Sequence, residues 1–180
     1  MIGPCIRLRP EITAADARSV AVWMEDREAT LHLSDAPGVS AVIRRALDHA
    51  QIGVVTHLFN QGGRFFIAED RGVPAGFVRL APGNGETQIV LLVEKSRWGR
   101  RLGEGMLREA LKTAFFEMRS PRVAAVIHRD NHRSLRLFLR AGFAMENGGE
   151  WTRHVLSLSD YIRNIQGGVT MRDELTISRI

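Results

Sequence analysis

The sequence predicts an α+β domain with a mixed, mostly antiparallel sheet. Two observations carry that prediction. The apolar stretches Phe65-Phe66-Ile67-Ala68, Ala75-Gly76-Phe77-Val78-Arg79-Leu80 and Ile89-Val90-Leu91-Leu92-Val93 are separated by the turn signals Asp70-Arg71-Gly72 and Asn84-Gly85, which fold them into an antiparallel meander. The last run passes directly into a helical pattern and then into a further buried run, Val123-Ala124-Ala125-Val126-Ile127. Strand, helix and strand in that order imply a right-handed parallel crossover.

The remaining elements follow from local signals. Ile6-Arg7-Leu8-Arg9 alternates and stops at Pro10, as a first strand does. Thr13 followed by Asp16 is a helix cap, after which Ala17, Val20, Ala21 and Met24 keep helical spacing. A second helical pattern follows Pro37-Gly38, with Val42, Ile43, Ala46, Leu47 and Ala50 on one face. Val54-Val55-Thr56-His57-Leu58-Phe59 reads either as a strand or as a substrate loop packed on one. In the central helix Leu102, Met106, Leu107, Ala110, Leu111, Ala114 and Met118 recur at spacings of three and four, and Ser120-Pro121 ends it. A shorter helix carries Leu135, Phe138 and Leu139 and stops at Gly142, a left-handed C′ residue with Phe143 packed behind. Gly148-Gly149 turns into a final strand from Trp151 to Leu158. Residues 1–162 read as one domain, and 163–180 as an extension, helix or strand, expected to pack on a second copy of the chain.

Composition narrows the function classes. The 180 residues suffice for one domain with a substantial core. Apolar content of 44% and charged content of 25% are those of a globular protein. No run approaches the ~18 apolar residues of a membrane span, so no membrane partner is expected. The N-terminus lacks an apolar signal core, which leads us to expect a cytoplasmic protein. The single Cys5 excludes an internal disulfide and most zinc patterns, and His32, His49 and His57 are too scattered to form a metal site. The formal charge of +5 rests almost wholly on arginine, since only Lys95 and Lys112 are lysines. That charge favours an anionic ligand such as a phosphorylated cofactor, or RNA. There is neither a long like-charge run nor an aromatic-interleaved basic patch, so nucleic acid is not expected.

The chemistry concentrates between the strand ending at Val93 and the helix beginning near Leu102. Glu94-Lys95-Ser96-Arg97-Trp98-Gly99-Arg100-Arg101-Leu102-Gly103 holds two glycines and a cluster of basic residues. A glycine-bearing turn entering a helix N-terminus aims free N–H groups and the positive end of the helix dipole at one spot. Diphosphate is the usual occupant of such a spot.

Two motifs, taken with the order of elements, resemble the GNAT superfamily of acyl-CoA-dependent N-acetyltransferases over roughly residues 6–158. One is the loop itself, where the family has Arg/Gln-x-x-Gly-x-Gly/Ala. Arg100-x-x-Gly103-x-Gly105 matches literally; aligning the apolar positions Val93, Leu102, Met106 and Leu107 instead puts Trp98 at the Arg/Gln position, Arg101 at the first Gly and Gly103 at the second. We prefer the second register because the buried helix face must match. The other motif is Asn131-x-x-Ser134-x-x-x-Phe138-x-x-x-Gly142-Phe143, similar to the family's Asn-x-x-Ala-x-x-x-Tyr-x-x-x-Gly-Phe. Trp23-Met24-Glu25-Asp26 looks closest to the branch that includes ribosomal-protein N-terminal acetyltransferases.

The resemblance implies a twisted sheet of about seven strands, helices on both faces, and a parallel strand pair splayed at the centre. It implies acetyl-CoA as co-substrate, no metal, and direct transfer in a ternary complex to a small-molecule or peptide amine. The pantetheine arm would pair with Leu91, Leu92 and Val93 like an added strand. Trp98, Gly99, Arg100, Arg101, Leu102, Gly103 and Glu104 would hold the diphosphate, and Asn131, Ser134 and Phe138 the arm from the other side. Glu86 is the carboxylate candidate for general base and His128 a candidate proton relay. Phe138 stands where the family commonly has tyrosine and donates no proton. That departure motivates an alternative, a catalytically silent acyl-CoA sensor or interaction module. A third reading, from the arginine excess, is an RNA- or ribosome-associated protein.

Overall fold

The computed structural model of the chain describes residues 4–49, 51 and 53–167. Its sheet has seven strands: β1 (Ile6–Arg9), β2 (Arg64–Asp70), β3 (Val73–Gly83), β4 (Glu86–Val93), β5 (Arg122–His128), β6 (Ala144–Asn147) and β7 (Trp151–Ser157). Their spatial order is β1-β2-β3-β4-β5-β7-β6. Every pairing is antiparallel except β4 with β5. That parallel pair touches only at Thr87 with Val123 and Gln88 with Ala124. β4 stays in register with β3 as far as Val93, and β5 with β7 as far as His128. Each strand thus keeps its outer partner and parts from its inner one. The centre of the sheet opens as a V.

Helices cover both faces. On one, α5 (Leu102–Lys112), continued by a π-helical turn at Thr113–Glu117, packs with α6 (His132–Arg140) and α7 (Leu158–Gln166). Met106, Leu107, Ala110 and Phe115 meet Val78, Leu80, Ile89, Val123 and Leu156 there. On the other, α1 (Ala14–Glu25) and α3 (Ala36–Asp48) bring Val20, Val39 and Ile43 against Ile67, Phe77, Val90 and Leu92. Alternation along β4 explains the split: Val90 and Leu92 belong to one core, while Ile89, Leu91 and Val93 pack with the other.

α1 begins in a capping box, with the Thr13 hydroxyl and the Asp16 carboxylate each bonding the other's backbone N–H. Asp16 also binds Arg9 of β1 at 2.8 Å, and Arg9 reaches Glu69 of β2 at 2.6 Å. Burial alone would raise the pKa of Asp16; the hydrogen bonds from Arg9 and Thr13 outweigh it and hold the carboxyl below its ordinary range.

Several expectations are corrected or extended. Val54 to Phe59 forms neither strand nor open loop: Val54 makes one bridge to Thr13, and Thr56–Phe59 is a short helix, α4, burying Leu58 and Phe59. Strand β6 was not anticipated, because all four of its residues are exposed and carry no apolar alternation. α7 runs through the boundary placed at residue 162. Ala50 and 168–180, with the expected self-packing of the tail, lie outside the described residues. No helix among the described residues is long and apolar enough to cross a membrane.

His154 on β7 is 2% exposed. Its Nε2 lies 2.9 Å from the Thr152 hydroxyl, which itself donates to the Ile127 carbonyl at 2.9 Å, so Nε2 carries the proton. Nδ1 has no partner, and burial lowers the ring's pKa below 6.5. The unfolded chain therefore takes up a proton that the folded chain resists. The neutral ring's contribution is present above pH 6.5 and is lost as pH falls from there toward the folded value. Urea titrations at pH 7.5 and 5.5 should show a stability loss that His154→Leu removes.

Candidate active-site cleft

The opening of the V leads into a cleft of ≈ 670 Å³. One wall is β4 from Ile89 to Val93 with the loop into α5; the opposite wall is the end of β5 with the first turns of α6; residues 28–33 close one end. The Glu94 amide donates to Ala75 of β3 at 2.9 Å. By alternation the backbone polar groups of Val90 and Leu92 also point to β3, and those of Ile89, Leu91 and Val93 face the open side. The Trp98 indole N–H donates to the Val93 carbonyl at 2.9 Å, which confirms that this carbonyl is turned outward.

The loop after β4 makes a 3₁₀ turn at Lys95–Arg97, then passes Gly99 at φ 80° and Arg101 at φ 57° before α5 begins. The left-handed backbone at Arg101 is one a glycine adopts freely, whereas a side chain costs ~1–2 kcal/mol there. Every main-chain N–H from Gly99 to Glu104 lacks a hydrogen-bond partner among the described residues. Only at Gly105 does the first bond of the helix close, back to Arg101. The two glycines of the helix have different jobs. A Cβ on Gly103 would enter the cleft between Leu137 and Val93, whereas one on Gly105 would collide with Ile6 of β1 at 2.5 Å. Gly105 serves helix–sheet packing; Gly103 keeps the cleft open.

On the facing wall Asn131 caps α6, its side-chain oxygen accepting from the Ser134 amide at 3.1 Å. Gly142 at φ 91° ends the helix, with the Phe143 amide closing onto Phe138 at 3.1 Å. Phe138 is 4% exposed and meets Phe143 edge-on at 4.9 Å, so its ring is core as well as cleft wall. Arg133 reaches across, its guanidinium carbon 3.9 Å from the Trp98 ring centre.

At the closed end, α2 (Arg27–Thr30) is capped by Asp26, which accepts from the Glu28 and Ala29 amides. The hydrogen bond from the Ala29 amide, aided by Lys95, lowers the Asp26 pKa, and hydrogen bonds to Glu28 and Asp26 raise that of Lys95. The segment after α2 brings His32 to the cleft, where its ring stacks on His128 at 4.5 Å. His128 is held from behind by the edge of Trp151 at 5.0 Å and faces Glu150 at 3.4 Å.

Leu91, Leu92, Val93, Trp98, Gly99, Arg101, Leu102, Gly103, Glu104, Asn131, Ser134 and Phe138 all line this one cleft. Arg100 and His128 do not line it, although the Arg100 amide belongs to the free run and His128 sits directly behind His32. Leu92 contributes side-chain surface only, because its backbone is committed to β3. Glu86 requires a correction. It opens β4 at the paired end, away from the V, and its carboxylate binds Arg153 at 2.6 Å. A base role for Glu86 is therefore withdrawn. His32 was weighed only as a metal ligand, because nothing in the sequence around it shows that it reaches His128. Arg133 could have been found, since it lies inside the Asn131-x-x-Ser134 motif. Among the described residues no three His, Cys, Asp or Glu side chains are placed to hold a metal ion.

A mixed sheet whose central parallel pair splays over such a cleft, with helices on both faces, is the GNAT fold. The chain belongs to that family: the model of the acetyltransferase (GNAT) domain matches residues 6–144. Among solved structures the chain is similar to aminoglycoside acetyltransferase AAC(6′)-Ib in complex with coenzyme A, at 18% identity and TM-score 0.70, covering 89% of this chain and 99% of that one. It is similar to Vibrio cholerae spermidine N-acetyltransferase in complex with CoA and spermine, at 16% identity and TM-score 0.68, covering 87% and 98%. It is also similar to the Campylobacter jejuni N-acetyltransferase PseH in complex with acetyl coenzyme A, at 14% identity and TM-score 0.63, covering 86% and 99%. At these identities the likeness is one of fold. No curated protein matches the chain.

Proposed function

We propose that the protein moves an acetyl group from acetyl-CoA to a primary amine by direct attack in a ternary complex. The observation that carries this reading is the continuity of the open β4 edge with the unpartnered amides from Gly99 to Glu104. An extended amide-bearing arm can add to the edge at Leu91 and Val93, and a diphosphate can take up the amides at the positive end of α5. The Ser134 hydroxyl faces the arm from α6. The thioester then lies where β4 and β5 part, and the acceptor amine meets it beside residues 28–33. The amine attacks the acetyl carbon and the C–S bond breaks. The amine's proton passes to the His32–His128 pair, and the CoA thiolate takes its proton from solvent, since Phe138 has none to give.

The neighbours support this reading, as N-acetyltransferases bound to CoA or acetyl-CoA. They also suggest polyamines and aminoglycosides as acceptors to assay, beside amino sugars and peptide N-termini. The last are included for the likeness of Trp23–Asp26 to the ribosomal-protein branch. Thiol release from acetyl-CoA in the presence of one of these amines is the expected result. His32→Ala and His128→Ala should each lower that rate by about 10²–10⁴-fold with CoA affinity unchanged. CoA binding with no thiol release on any acceptor would favour the sensor reading that Phe138 motivates. Absence of CoA binding would remove both.

A further inference from the structure

The cleft holds a cation that the chemistry above leaves idle. Arg97, Arg101, Arg133, Arg136 and Arg140 all line it. Arg97 faces Glu94 at 3.1 Å, and Arg140 faces Glu104 at 3.8 Å. Arg101 and Arg136 are exposed, and no hydrogen bond or ring holds either guanidinium among the described residues. Arg133 is exposed as well, but it differs from all four in being held against a ring. It has no carboxylate within ion-pairing distance among the described residues, yet its guanidinium is held 3.9 Å from the centre of the Trp98 ring. Trp98 is fixed in turn by its hydrogen bond to the Val93 carbonyl. The pair spans the cleft, Trp98 from the loop before α5 and Arg133 from the first turn of α6.

That placement is unfavourable without a partner. A cation in the first turn of a helix sits at the positive end of the dipole, and α6 has no acidic residue there to offset it. Across the cleft stand the positive end of α5 and its unpartnered amides. Five arginines line the cleft against the three carboxylates of Glu28, Glu104 and Asp130, so cations and free amides prevail, and an anion lying between the walls would be favoured there.

We propose that Arg133 is a ligand of the coenzyme diphosphate, supplied from the wall opposite the α5 amides, and that Trp98 is the positioning residue that holds it there. The proposal rests on reading the cleft as an acyl-CoA site. The amides grip one side of the diphosphate, and the guanidinium fork bonds its non-bridging oxygens from the other. Stacking on the indole removes rotamer freedom before the coenzyme arrives, so less is lost on binding.

Calorimetry with CoA tests it. Arg133→Ala should weaken binding about 10- to 100-fold, the range for a hydrogen bond to a charged group. Arg133→Lys should recover part of the loss, since it keeps the charge without the fork. Trp98→Ala should also weaken binding, and the double variant should bind no worse than Arg133→Ala, because one residue acts through the other. Trp98→Phe, which keeps a ring under the guanidinium, should retain most of the affinity and covers the case in which Trp98→Ala fails to fold. A folded Arg133→Ala binding within about twofold of the parent would overturn the proposal while leaving the acyl-CoA reading intact. Additive losses in the double variant would remove the positioning role of Trp98. A parent protein that binds no CoA would remove the acyl-CoA reading itself.

Discussion

Gly103→Val is expected to abolish CoA binding in a protein that remains folded. The new Cβ would stand 3.3 Å from Leu137 Cδ2 and 3.9 Å from Val93 Cγ2, with two further methyl groups beyond it. Gly103 lies in the first turn of α5 with ordinary helical backbone, so valine meets no conformational barrier. The cost falls on the cleft. Its side chain would fill the space between β4 and α6 through which the coenzyme arm must pass. Calorimetry should show a loss on the order of a hundredfold or more, ~2.8 kcal/mol, with little change in melting temperature. Gly105→Ala is the contrasting control. Its Cβ would press into Ile6 at 2.5 Å, inside the core shared by α5 and β1. It should lower stability and leave CoA affinity near that of the parent. Unchanged CoA affinity in Gly103→Val would overturn the register that places Gly103 against the diphosphate.

Arg9→Met should destabilise the fold by about 3–5 kcal/mol, the range for removing one partner of a buried ionic cluster. Asp16 and Glu69 are 5% and 8% exposed, and both bind the same guanidinium. Without it two carboxylates from α1 and β2 stay buried with no countercharge. For a chain of this size the loss corresponds to about 6–20 °C in melting temperature. The effect should also depend on pH. The folded pKa of Asp16 is lowered, so its contribution is present above the unfolded value near ~3.9 and is lost as pH falls through the folded value. The gap between Arg9→Met and the parent should therefore narrow in acid. A gap unchanged from pH 7 to pH 3 would mean that Arg9 stabilises through packing of its stem instead.

How far the sequence could be read depended on whether a residue's neighbours in space were also its neighbours in the chain. The meander, the crossover through α5, the capping box at Thr13 and Asp16, and the Gly142 stop all use local spacing, and all could be seen directly. The free amides after Val93 were foreseeable for the same reason, since one continuous stretch supplies the strand end, the turn and the helix start. Strand β6 escaped notice because its exposed residues owe their conformation to pairing with β7. Glu86 misled because its partner Arg153 is a neighbour only across the sheet and leaves no sign in the local sequence.

The sequence by itself determined the sheet order's main features and the place where an anion would dock. Its periodicities fix burial, and its glycines fix the turns. Only the tertiary structure decided which side chains meet across the cleft. His32 and His128 are far apart in the chain and touch because residues 28–33 fold over the end of β5; Trp98 and Arg133 touch because the loop after β4 and the first turn of α6 face each other across the cleft. Such encounters depend on the relative placement of packed elements, which arises from the whole core at once and leaves no local mark in the chain.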